Sequence, residues 1–237
     1  MFTRPKNIKA FHPQEAVIYK SMLNHKEELI DLGGGFQIIQ SKDHYRFTSD
    51  SVLLSNFTKV KANDRVCDLC GGCGIVGYDL LVKNKVIKHL TVVEMQKPLA
   101  DSAKRTSVLN KIEHKVTVIN KKIQNLGKEY YEKFDLITCN PPYMKTGGGD
   151  MSEKPEIALC RFEIALDLET LIKKAAKLLK FSGRFSFIHR SERIADIIFY
   201  LRKNKLEPKR IKIINGIILC EAVKGGKPGC IISTEIR

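Results

Sequence analysis

The chain has 237 residues, 43% of them hydrophobic and 28% charged, enough for one catalytic-sized domain with a real core. No apolar run approaches the roughly eighteen residues of a membrane span, and the N-terminus MFTRPKNIKAFHPQEAVIYK lacks the apolar centre of a signal peptide, so a cytoplasmic protein is expected. A net charge of +15 points to a polyanionic partner, nucleic acid first.

In chain order, the first two dozen residues carry no clear pattern. DLGGGFQIIQSKDHYRF, from Asp31, reads as strand, turn and strand, and Thr48-Ser49-Asp50 offers N-capping groups to a helix through SVLLSNF. Residues 1–44 are thus expected to form an N-terminal extension and collar, and residues 45–237 a single α/β domain. From Arg65 onward, short runs rich in Val, Ile and Phe alternate with helical patterns, the signature of a parallel sheet with crossover helices. The predicted strands are RVCDLC (65–70), LTVVE (90–94), KVTVIN (115–120), FDLITC (134–139) and RFSFI (184–188). Helices are predicted after the glycine loop, over about Pro98 to Asn110, over about Asp167 to Lys180, and from near Ser191, where Ile194, Ile197, Ile198 and Leu201 form one stripe. Two further β runs, KRIKII and GIILCEAV, flank Asn215-Gly216, a two-residue hairpin signal. The expected fold is α/β, a Rossmann-like, doubly wound, mostly parallel seven-stranded sheet finished by an antiparallel edge strand.

VCDLCGGCGIVG, Val66 to Gly77, poses a choice. Its cysteines, Cys67, Cys70 and Cys73, fall at CxxCxxC spacing. A structural metal centre needs four ligands, however, and Cys139, Cys160, Cys220 and Cys230 are scattered singly, so no metal is expected and reduced thiols are. The glycines give the alternative. Gly72 and Gly74 let the chain turn tightly against a ligand and Gly77 lets the next helix pack closely. Glu94 closes the next strand, where a carboxylate can accept both hydroxyls of a ribose. A nucleoside cofactor follows, and NAD and S-adenosylmethionine proteins share this arrangement.

Asn140-Pro141-Pro142-Tyr143 directly follows FDLITC. Ligands of open α/β sheets bind beyond the carboxyl ends of the strands, which sets this tetrapeptide beside the glycine loop. The prolines stiffen the turn. The Asn140 amide oxygen and the Pro141 carbonyl can then act as paired acceptors for a planar NH2 group, with Tyr143 stacked on the plane that carries it. Such an amine needs its lone pair aimed more than it needs a strong base.

DLCGGCG followed by NPPY resembles the class I S-adenosylmethionine-dependent methyltransferases that act on planar amino groups, over about Tyr45 to Arg193. Within that class, YRFTSDSVLL, HRSERIADI and EAVKGGKPG are similar to segments of the bacterial tRNA(Val) adenine-37 N6-methyltransferases. The resemblance implies S-adenosylmethionine as cofactor and the N6 amine of an adenine in tRNA as acceptor. It further implies that Cys70, Gly72 and Gly74 border the cofactor, Asp68 supports its amino-acid end, Glu94 binds its ribose, Asn140 touches both cofactor and target, and Thr48 and Asp50 close over the methionine tail. Asn140, Pro141 and Tyr143 would form the catalytic set. The chain departs from the family where Cys70 replaces the first glycine of the loop, where Asn120-Lys121-Lys122 replaces an acid near the cofactor adenine, and where ALCRFE has Phe162 in place of His beside Arg161 and Glu163.

Sixteen Lys or Arg against five Asp or Glu lie between Leu171 and Arg237. Arg190, Arg193, Arg202, Lys203, Lys209 and Arg210 are the candidate RNA-backbone contacts within that stretch, and Thr146 to Asp150 has the composition of a loop that orders on substrate. No obligate protein partner is evident. Methylation of ribosomal RNA or of a protein glutamine, and a non-catalytic RNA-binding protein on the same fold, stand as alternatives.

Overall fold

The computed structural model describes residues 23, 24, 26–42, 47–141 and 166–235. Ahead of the main sheet, β1 (Glu27–Asp31) and β2 (Gln37–Ser41) form an antiparallel hairpin, and α1 (Ser49–Phe57) follows. Next come β3 (Arg65–Leu69), α2 (Ile75–Lys83), β4 (His89–Glu94), α3 (Lys97–Leu109), β5 (Val116–Asn120) and β6 (Phe134–Cys139). The remainder runs α4 (Leu168–Leu178), β7 (Leu179–Arg190), α5 (Ile194–Lys203), β8 (Leu206–Ile214), β9 (Ile217–Lys224) and β10 (Ile231–Glu235).

The sheet order is β10-β8-β9-β7-β6-β3-β4-β5. It corrects the sequence expectation twice. There are eight strands, not seven, and the antiparallel strand is not at the edge: β9 lies between β7 and β8, antiparallel to both, while β10 extends the sheet parallel to β8. The extra strand escaped notice because it has no buried face to impose a period of two. Ile231 and Ile232 are 73% and 59% exposed. The Asn215-Gly216 turn is as expected, with φ of 46° and 77°, the double left-handed turn whose twist suits a two-residue hairpin.

Helices cover both faces of the sheet. On one, Leu69, Ile137, Phe185 and Phe187 pack with Leu171 and Ile172 of α4 and Ile197 and Leu201 of α5, all buried. On the other, Val66, Leu90 and Val92 pack with Leu54 of α1 and Val76 and Leu80 of α2. The predicted stripe of α5 is therefore its buried side. Asp167 caps α4 by accepting the Thr170 N–H at 2.8 Å. Thr48 occupies the N-cap position of α1, but its side chain makes no capping bond.

Ile38 of the hairpin joins Ala103 of α3 in the apolar core, and polar contacts fasten the two elements further. Asn110 Oδ1 accepts the Gln37 N–H at 3.0 Å, Thr106 Oγ1 accepts the Ile39 N–H at 3.0 Å, and Arg105 holds Glu27. Among the described residues, no helix is long and apolar enough to cross a membrane.

Candidate active site

The loop after β3 turns with Cys70 at φ 54°, Gly72 at φ 57° and Gly74 at φ 88°, all left-handed. The neighbouring Gly71 is required for a different reason: a Cβ there would lie 2.5 Å from Val92 Cγ1. Its N–H bonds the Val93 carbonyl at 3.0 Å, and the Gly74 N–H bonds the Gly71 carbonyl at 2.7 Å. At Gly77 a Cβ would meet Leu90 at 2.8 Å, so the helix packs onto the sheet as closely as the glycine pattern implies.

Two carboxylates hold this loop from opposite sides. Glu94, at the end of β4 and 6% exposed, accepts the Gly72 N–H at 2.9 Å on Oε2 and the Gln96 N–H at 2.8 Å on Oε1. Burial raises its pKa against these backbone bonds. The Met95 N–H is a third backbone donor to this carboxylate, which retains acceptor capacity for a ligand hydroxyl. Asp68, 1% exposed, accepts the Gly77 N–H at 3.1 Å and the Thr138 hydroxyl at 2.8 Å. Burial pushes its carboxyl up to about 7, opposed by those two bonds and assisted by the charge of Glu94.

Beyond the carboxyl ends of β3, β4 and β6 opens a cleft with Gly72, Glu94, Gln96, Ile123 and Asn140 on its walls. Its lining is mostly apolar, with a few polar groups among them, the composition of a small-ligand site. Lys121 and Gln124 contribute another edge, while Asn120 turns inward and donates to the carbonyls of Glu94 and Met95 at 2.9 and 3.0 Å. Asn120 thus braces the end of β4, and Lys121 is the side chain of that departure from the family pattern that reaches the cleft.

Cys70, Gly72, Glu94 and Asn140 line the cleft, and Pro141 follows Asn140 in the chain. Asp68 and Gly74 do not line it. Asp68 is spent on bracing the loop from behind, and Gly74 presses on the Tyr78 ring, where a Cβ would approach to 2.4 Å. Thr48 and Asp50 are also absent from the cleft wall. Helix phase gives their place to Phe47 and Ser51. Ser51, 2% exposed, accepts a 3.0 Å bond from Asn140 Nδ2. Tyr143, Arg161, Phe162, Glu163 and the segment from Thr146 to Asp150 lie outside the described residues.

The candidate RNA contacts are largely committed elsewhere. Arg193 pairs with Asp196, Arg202 with Glu207, Lys203 with Glu169, and Lys209 donates to the Lys227 carbonyl. Arg210 is half-buried: it bonds both oxygens of Glu221 at 2.9 Å and the Phe57 carbonyl at 2.9 Å, and its guanidinium lies 4.3 Å over the Phe57 ring. Arg190 is half-buried at the end of β7. Of the six candidates, Arg210 is the one with the most internal bonds, whereas the exposed pairs of Arg202 and Lys203 can exchange their carboxylates for phosphate.

The thiols fit a core role. Cys67, Cys73, Cys139 and Cys220 are buried, and burial pushes Cys73 up to about 12. Among the described residues no group of three or more His, Cys, Asp or Glu could hold a metal ion.

A doubly wound sheet with a glycine loop, an acid ending the second parallel strand and a cleft at their carboxyl ends is the class I methyltransferase architecture. The chain belongs to the methyltransferase small domain family, which matches residues 39–199. It is similar to a tRNA1(Val) (adenine(37)-N6)-methyltransferase of a Flavobacteriaceae bacterium, 29% identical over 153 residues, which are 65% of this chain and 63% of that relative's length. A protein of the same name from Tolumonas auensis is 27% identical over 194 residues, covering 78% of this chain and 79% of the relative. Among solved structures, a predicted O-methyltransferase from Agrobacterium tumefaciens superposes with a TM-score of 0.60 at 19% identity, over 79% of this chain and 85% of the other.

Proposed function

We propose that the protein transfers a methyl group from S-adenosylmethionine to the N6 amine of an adenine in tRNA, position 37 of tRNA(Val) being the site the relatives' names suggest. The observation that carries this reading is the Asn140 amide on the wall of a cleft that also presents Gly72 and Glu94. Its Nδ2 is occupied by Ser51, so Oδ1 is the amide's uncommitted acceptor among the described residues.

The cleft's residues fit the cofactor. Glu94 is a nearly buried carboxylate with acceptor capacity left for a ribose hydroxyl, and the open space at the missing Cβ of Gly72 lets a ligand approach the backbone. S-adenosylmethionine, when bound, supplies a methyl group on a cationic sulfur. Asn140 Oδ1 accepts one N–H of the adenine amine, the Pro141 carbonyl accepts the other, and the two bonds aim the nitrogen lone pair and draw electron density toward it. Tyr143 stacks on the base. A collar over 1–44 ahead of a catalytic domain over 45–237, with RNA contact by Arg193, Arg202 and Lys203 and a cytoplasmic site of action, completes the reading.

The test is transfer from labelled S-adenosylmethionine to unmodified tRNA, with ribosomal RNA and a release factor as parallel acceptors, followed by nucleoside analysis. N6-methyladenosine in tRNA alone is expected. Label in the protein or in ribosomal RNA overturns the acceptor, and cofactor binding without transfer to any of them overturns the reaction. Asn140→Ala is expected to lower turnover roughly a hundredfold or more while cofactor affinity changes little.

A further inference from the structure

Cys70 breaks the alternation of its strand. Leu69 pairs in register with Cys139 of β6, and both pack in the core beneath α4 and α5. Side chains alternate along an extended strand, so the residue after Leu69 is due on the opposite face of the sheet. Cys70 packs instead against the cluster that holds Leu69 and Cys139, because its φ of 54°, rare for a residue with a Cβ, swings the chain round. Two thiols meet there: those of Cys70 and Cys139 are hydrogen-bonded to each other. Neighbouring strands about 4.8 Å apart and a rise of about 3.3 Å per residue set the two Cα atoms about 6 Å apart, within the span of a disulfide.

The two differ in access. Cys70 is half-buried on the cleft wall, whereas Cys139 is fully buried behind it, and burial pushes the Cys139 thiol up. Cys73 also lines the cleft, but it is 4% exposed and belongs to the core on the other face of the sheet. A small oxidant entering the cleft therefore meets Cys70 first, with the Cys139 thiol in place to react next.

We propose that Cys70 and Cys139 form an oxidisable dithiol on the cleft wall, which hydrogen peroxide joins as a disulfide that pulls the glycine loop out of its ligand-binding form. The Cys70 thiolate attacks the peroxide, the O–O bond breaks, and the departing hydroxide takes a proton to become water, leaving a sulfenic acid. The Cys139 thiol attacks that sulfur, the S–S bond forms, and the hydroxyl leaves with the Cys139 proton as a second water. Two thiols and one peroxide thus give one disulfide and two waters. Bonding draws the sulfurs closer than their hydrogen bond does, and Gly72, whose N–H is held by Glu94, lies two residues from the Cys70 that must move. The effect on cofactor rests on the reading of the cleft as the S-adenosylmethionine site; the bond itself does not.

The test treats substrate-free protein with hydrogen peroxide, alkylates the remaining thiols and maps the peptides by mass. A Cys70–Cys139 crosslink that dithiothreitol reverses is expected, with a shift of the Gly72 backbone amide resonance. Affinity for S-adenosylmethionine, read by calorimetric titration, is expected to fall at least about tenfold, the loss of one good hydrogen bond or more, and to return on reduction. In Cys139→Ala, Cys70 is expected to stop at the sulfenic acid, which dimedone traps; Cys139→Ser replaces it if the alanine variant does not fold. No crosslink, or Cys70 joined to Cys73 instead, overturns the proposal, as does crosslinked protein that binds cofactor as the reduced form does. Reduced wild type that binds no S-adenosylmethionine overturns the functional reading, and the peptide map with the Gly72 resonance then decides the proposal alone.

Discussion

Glu94 Oε2 receives the Gly72 N–H across 2.9 Å, tying the carboxylate that ends β4 to the loop that ends β3. The other oxygen is equally engaged by Gln96, so no substitution leaves the pair intact. In Glu94→Gln, an amide NH2 must face one of those N–H donors. Cofactor affinity should weaken roughly ten- to a hundredfold, the range of a lost charged hydrogen bond, and calorimetric titration of S-adenosylmethionine reads it. An unaltered dissociation constant would remove Glu94 from the binding wall.

Asp68 makes stability depend on pH in a defined direction. Its folded pKa is near 7 against an ordinary 3.8, so between these values the folded state holds a proton that the unfolded chain has lost. The advantage this gives folding is complete below the ordinary value and is lost as pH rises through the folded one. The unfolding free energy of the wild type relative to Asp68→Asn should therefore fall from pH 4 to above 7 and then level off. Urea titrations of both proteins across that range decide it; parallel curves would show that Asp68 does not titrate there.

Gly71 is the loop glycine with least room. An added Cβ lies 2.5 Å from Val92 Cγ1 in the core, and Gly71→Ala should destabilise the fold by about 1–3 kcal/mol. Guanidinium unfolding measures this directly. A loss below about 0.5 kcal/mol would mean that β4 yields without strain.

Arg210 and Lys203 should separate structure from RNA contact. Removing Arg210 leaves Glu221, with its side chain 9% exposed, buried without its partner, so Arg210→Ala should lose about 3 kcal/mol or more. The tRNA affinity of its folded fraction should be unchanged. Lys203→Ala should leave stability essentially unchanged and weaken tRNA binding, with a shallower dependence on salt. Filter binding across a salt series, beside urea unfolding, distinguishes the two residues. A weaker-binding, fully stable Arg210→Ala would restore that residue to the RNA surface.

What could be read in advance was local. Each core strand is a run of β-branched or aromatic residues, the hairpin at Asn215-Gly216 is set by two adjacent residues, and the closeness of Gly77 to Leu90 follows from a glycine at the right point after a strand. The glycine loop and Glu94 were legible together because both lie at strand ends. Phe47 and Ser51 were not, since their place depends on the phase of α1, whose buried side alternates Ser51, Leu54 and Ser55 and shows no apolar stripe. The paired hydroxyls at i and i+4 beside VLL were the available signal. The pairing of Arg210 with Glu221 was not legible either, because only the register of β8 against β9 sets the two opposite each other.

The hydroxyl of Ser51 also fixes when the cleft can exist. The helix that bears it is made early, and the amide it binds emerges 89 residues later, on the order of ten seconds at ordinary rates of translation. In that interval the buried face of α1 has α2 to rest on but no β6 to complete the wall. The Asn140 end of the cleft is therefore a late product of synthesis, made after the glycine loop and Glu94, and a nascent chain halted before Asn140 carries the loop without that wall.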